Sequence, residues 1–143
     1  MNVEGIDHVH AEVRDRERAA LWYREVLGLV PHAGLSVWAE DPMGPLILAT
    51  PSGLPTLSLF ARGCAPPSRD ATVALRVSGD DFLSFVDSLP RQAVVTRDGA
   101  SLLPEHVIDH DLSWSIYFQD PDGNRLELTT YDYSEVRKKS AGH

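Results

Sequence analysis

The stretch Ser115-Ile116-Tyr117-Phe118-Gln119-Asp120-Pro121-Asp122-Gly123-Asn124-Arg125-Leu126-Glu127-Leu128 leaves the backbone little freedom. Pro121 presets φ for a turn, and Gly123 supplies the positive φ that closes it. The flanking residues alternate in polarity, so the segment reads as a β-hairpin. A turn centred on Asp122 sets Tyr117 opposite Glu127, and cross-strand partners point to one face. Tyr117, Arg125, Glu127 and Thr129 then share a polar side. Ile116, Phe118, Leu126 and Leu128 share the side that faces a core.

The rest of the chain supplies the layer on which this hairpin packs. Residues 4–14 read as a strand with Ile6, His8, His10 and Glu12 on one face and Val9, Ala11 and Val13 on the other. Asp15 is the N-cap of a helix to Leu27, with Ala19, Ala20, Tyr23, Val26 and Leu27 as its apolar stripe and Gly28 as a left-handed C-cap. Strands are expected at Leu35–Ala39, Leu46–Thr50 and Thr56–Ala61, separated by turns at 41–44 and 51–53. Residues 65–70 read as a linker. The pattern then restarts with a strand at Ala71–Val77 and a helix capped by Ser78. Phe82, Phe85, Val86 and Leu89 form its stripe, and Pro90 ends it. Val94–Arg97, Ser101–Ile108, Trp114–Gln119 and Arg125–Tyr131 are the remaining strand candidates.

Sliding one half on the other places His8 on Thr72, Val9 on Val73, Ala11 on Leu75 and Val13 on Val77. Only the pattern of elements repeats, because identity between the halves is negligible. The expected architecture is α+β: two tandem βαβββ modules, 4–64 and 70–133, forming a curled mixed sheet around a pocket. A flexible tail is expected at 134–143.

Several classes of function are disfavoured by composition. The 143 residues carry a formal charge of −8 with no basic cluster, which argues against nucleic-acid binding. No apolar run approaches the ~20 residues of a membrane helix, and Met1–Asp7 has no secretory pattern. Cys64 stands alone, so no internal disulfide forms and a cytoplasmic setting is expected.

Two motifs point to a family. Ile6-Asp7-His8-Val9 opening a strand, with Trp22-Tyr23 and Val26-Leu27-Gly28 closing the helix after it, resembles the first module of the vicinal oxygen chelate superfamily. That superfamily holds glyoxalases, bleomycin resistance proteins and extradiol dioxygenases. The hairpin 117–128 is similar to its closing signature, so the resemblance covers nearly the whole chain. It implies a divalent metal held by the first and last strands of each module, and a homodimer. Matching by motif puts His8 at the first ligand position and Glu127 at the last. Thr72 falls where a histidine is usual, and Ser58 falls near where glyoxalases place a glutamate. A neutral hydroxyl is a poor ligand beside imidazole and carboxylate. The strand phase offers a repair: His8, His10 and Glu127 as a non-standard triad.

The resemblance also implies that Tyr117, ten positions before Glu127, hydrogen-bonds a substrate oxygen. His110 matches a loop histidine that moves a proton, and Ser58, Thr72 and Glu12 are expected to line the pocket. The leading expectation is a metal-dependent enzyme, most like a catechol-type ring-cleaving dioxygenase with iron(II) or manganese(II) and an aromatic substrate. The alternatives are a metal-free small-molecule-binding or drug-resistance protein, and a glyoxalase-like lyase or isomerase with Glu127 as base.

Overall fold

A computed structural model describes residues 1–2, 6–63 and 71–142. The expected linker 65–70 and the start of the first strand lie outside the described residues. The chain divides into two compact units, Met1–Arg69 and Asp70–His143.

In the first unit, β1 (Val9–Glu12) leads into α1 (Arg16–Leu27). The Asp15 carboxylate accepts the amides of Glu17 and Arg18, which would otherwise lack partners at the helix start. Gly28 ends the helix at φ 68°, a conformation that costs a residue without Cβ nothing. Short β2 (Val30–Pro31), β3 (Leu46–Ala49) and β4 (Pro55–Phe60) complete a sheet in the order β1-β4-β3-β2. The β1–β4 pair is parallel and the other two are antiparallel. Ala11, Val13, Leu57 and Leu59 are buried with Ala19, Ala20 and Tyr23 of α1.

The second unit repeats this order. Strand β5 (Thr72–Arg76), α2 (Gly79–Ser88), β6 (Ile108–Asp109), β7 (Trp114–Gln119) and β8 (Arg125–Thr130) give a sheet β5-β8-β7-β6, again opening on a parallel pair. The chain is thus α+β, with two βαβββ modules. Ser78 caps α2 through the Asp81 amide. Ile116, Phe118, Leu126 and Leu128 are buried with Phe82 and Phe85, and the Phe85 and Phe118 ring centroids lie 5.4 Å apart.

Four segments differ from expectation. Residues Ala33–Glu40 wind into a 3-10 helix instead of a strand at 35–39. Val30 already pairs with Ala49 at the edge of β3, and the Arg16 guanidinium holds the Ala39 carbonyl at 3.0 Å. Around Val94–Arg97 only Val95 bridges, to Ser101 and Gln119, and a turn closes at Gly99 with φ 86°. Pro104 opens a 3-10 turn to His106, leaving β6 with two residues of the expected 101–108 strand. The residues expected as a tail form α3 (Tyr133–Ala141). Its Val136 is buried, and the Asp132 carboxylate just before it accepts the Gly79 amide at 2.8 Å. A polar sequence hides this helix, because Val136 is its one buried side chain and the rest of its anchoring is polar.

Candidate functional site

Chemistry-bearing side chains collect on the polar face of the second unit's sheet. Tyr117 and Glu127 are directly paired across β7 and β8, and Ser115 pairs with Thr129 on the same face. The Ser115 hydroxyl donates to Glu127 Oε1 at 2.7 Å and lies 3.0 Å from Thr129 Oγ1. The same carboxylate also hydrogen-bonds the Tyr117 side chain beside it.

His110 reaches this face from the β6–β7 turn. Asp109 pairs with Trp114, and the His110 amide donates to the Ser113 carbonyl at 2.9 Å, closing a tight loop. Asp111 within it adopts φ 68°, which an aspartate tolerates better than most side chains. Asp109 Oδ1 accepts the Asp111 amide, and Asp109 Oδ2 accepts the Tyr133 hydroxyl of α3 at 2.8 Å. Braced in this way, His110 Nε2 sits 3.1 Å from the Tyr117 hydroxyl, with the two rings at 90°. Burial foremost, and then the negative charge of Glu127, raises the Tyr117 pKa above its ordinary value; Arg97 opposes this weakly. Tyr117 is therefore a neutral hydroxyl at physiological pH, able to donate.

Sequence reading passed over Arg97. Its turn is fixed by the Thr96–Ala100 backbone bond at 2.7 Å and by the Gln119 amide on the Val95 carbonyl at 3.1 Å. From there Arg97 Cζ lies 4.6 Å from the Tyr117 ring centroid, and Nη2 donates to Thr72 Oγ1 at 2.9 Å. The available signal was Asp98-Gly99, turn chemistry directly after the strand expected at Val94–Arg97 and before the one at Ser101–Ile108.

In the first unit, His8, just before β1, carries the Asp7 carboxylate on Nδ1 at 2.6 Å. That bond fixes the ring and leaves Nε2 for another partner. The His8 and His10 rings stack, with centroids 5.3 Å apart and planes 11° from parallel. His10 also packs on Phe60 at 4.8 Å. Arg62 lies over Phe60 and pairs with Glu12. Ser58, in register with His10, is fully buried and its hydroxyl has no hydrogen-bond partner among the described residues.

These residues do not fit the divalent-metal site that the sequence resemblance implies. Thr72 is occupied by a guanidinium. An ion bound to that hydroxyl at an ordinary ~2.2 Å would lie within about 5 Å of Nη2, a repulsion of roughly 7 kcal/mol at an effective dielectric constant near 20. An imidazole lone pair lies in its ring plane, so two stacked, near-parallel rings do not aim at one point. His8 and His10 would share an ion only if one ring left the stack. Within each unit, among the described residues, no three His, Cys, Asp or Glu side chains gather at one point.

A family model described as Glyoxalase/Bleomycin resistance protein/Dioxygenase superfamily matches residues 5–128. Among solved structures, the chain is similar to a glyoxalase family protein from Bacillus anthracis, with 22% identity, 92% of this chain and 98% of that one covered, and a TM-score of 0.67. It is similar to Oxidase ChaP-H2, with 23% identity, 95% and 99% covered, and a TM-score of 0.67. A glyoxalase/dioxygenase from Nostoc punctiforme gives 21% identity, 91% and 92% covered, and a TM-score of 0.62. At such identities the likeness is one of fold. No match was found among the curated proteins. Among the described residues no helix is long and apolar enough to cross a membrane.

Proposed function

The chain belongs to the Glyoxalase/Bleomycin resistance protein/Dioxygenase superfamily, and from that premise we propose that it is a small-molecule enzyme whose working groups are Tyr117 and His110. The ligand carries an ionisable oxygen, phenolic or enolic, and rests on the polar face of β7 and β8. The observation that carries this reading is the 3.1 Å contact between His110 Nε2 and the Tyr117 hydroxyl, with Glu127 opposite.

Tyr117, kept protonated by its surroundings, donates its proton to the ligand oxygen. His110, as imidazolium, passes its own proton from Nε2 to Tyr117 and ends neutral. Being exposed, it recovers a proton from solvent. The reverse sequence removes a proton from the ligand.

A test uses catechol and phenol as probes, with binding followed by isothermal titration and turnover by absorbance. Saturable binding that weakens about tenfold in both Tyr117→Phe and His110→Ala is expected, from the loss of one hydrogen bond in a confined site. Unchanged affinity in both variants would remove the proposal.

A second reading, a metal-free binding or drug-resistance protein, draws on the Arg97–Thr72 bond and on Ser58, two hydroxyls where ligands would be needed. Tight binding without turnover distinguishes it. Ring cleavage by an iron(II) or manganese(II) dioxygenase would use the same Tyr117–His110 pair. It also needs an ion held by His8, His10 and Glu127, which the stacked imidazoles disfavour.

A further inference from the structure

Arg97 is held in a braced turn, half-buried, above the tyrosine of the proposed site. A guanidinium is charged at every pH a protein experiences. Groups of this kind, once drawn from water, are paired with an anion or fully hydrogen-bonded. Arg97 is neither. Nη2 reaches the Thr72 hydroxyl, Nε is shut away from solvent with no acceptor, and among the described residues no carboxylate forms an ion pair with it. Acids are not scarce in this chain, since Asp and Glu number 21 against 13 Lys and Arg. Among the described residues, Arg97 Nε is the one guanidinium nitrogen buried without an acceptor, and Arg97 adjoins a neutral hydroxyl able to donate.

Resting on the reading of Tyr117 and His110 above, we infer that Arg97 is the anchor for a planar organic oxyanion, a carboxylate or a phenolate, carried by the ligand. Thr72 orients the guanidinium from one side and the Tyr117 ring supports its face. The Nη1 group, the second N–H of Nη2 and the Tyr117 hydroxyl form a donor set for one charged oxygen group. Glu127 is the opposing charge on this face. It repels an anion, so the anion lies on the Arg97 side of Tyr117. In this unit the protein supplies by guanidinium the positive charge that a metal ion would otherwise bring to Thr72.

The test compares sodium benzoate with benzamide, equal in shape and differing in charge, by isothermal titration against the wild-type chain, Arg97→Met and Arg97→Lys. Wild type should bind benzoate at least tenfold more tightly than benzamide. Arg97→Met should lose that preference while keeping its benzamide affinity, and Arg97→Lys should recover part of it. Melting of each variant without ligand checks the fold, and Arg97→Lys serves if Arg97→Met does not fold. Equal benzoate affinity in wild type and Arg97→Met overturns the anchor. Benzamide bound as well as benzoate, and weakened by Tyr117→Phe, overturns the anion alone and leaves the site standing. No saturable binding of either compound to wild type overturns both.

Discussion

At the residue scale the polar face of β7 and β8 works through unequal partners. Tyr117 is the group whose environment changes its chemistry: burial and the charge of Glu127 both disfavour the phenolate. The sign follows from linkage. A folded-state pKa above the unfolded value stabilises the fold fully below pH ~10, and that contribution is lost as pH rises through the folded value. In an alkaline titration followed at the phenolate absorbance, Tyr117→Phe should remove a step that lies above pH ~10. Loss of a step at or below that pH would contradict the assigned environment. The pairing of Tyr117 with Glu127 was legible from the turn residues, since a two-sided strand fixes which side chains share a face. Arg97 was not legible. Its position depends on a turn whose closure requires Gly99 at positive φ and a bridge from Val95 to Gln119, neither written in local alternation.

Elements that announce themselves do so through their ends. Both helices of the βαβββ repeats carry capping side chains where the sequence places them, Asp15 and Ser78, because an uncapped helix start leaves amides without acceptors. The hairpin turn follows the same logic. Asp120 is buried, and its carboxylate accepts the amides of Asp122 and Asn124 and the Asn124 side chain, each within 2.9 Å. Replacing it by alanine should cost roughly 2–4 kcal/mol in urea unfolding, because three donors lose a charged acceptor at once. Asp120→Asn, which keeps an acceptor oxygen, should cost less. Equal stability of Asp120→Ala and wild type would show that the turn holds itself. Ala33–Glu40 was misread because alternation alone cannot tell whether a sheet edge is open to receive the segment. A strand there needs a neighbour, and β2 had taken it.

For the whole molecule, the duplication was legible as order rather than as sequence. The two sheets share one strand order and one pattern of parallel and antiparallel pairs, which only a repeated element order could have foretold. The donors of the implied metal site are constrained within each unit. The His8 and His10 rings stack, and Thr72 is engaged by Arg97. Protein purified without chelator should hold well below one equivalent of iron, manganese or zinc, and its melting temperature should not fall when a chelator is added. A stoichiometric ion whose removal lowers the melting temperature would restore the metal-dependent reading. The parallel pairs β1–β4 and β5–β8 also govern how the molecule is assembled. Among the described residues, the first strand of each unit to be synthesised pairs with the last. Every opening strand therefore waits, unpartnered, for almost its entire module to emerge, and the slow, non-local closure of that seam is where folding is most exposed to mispairing.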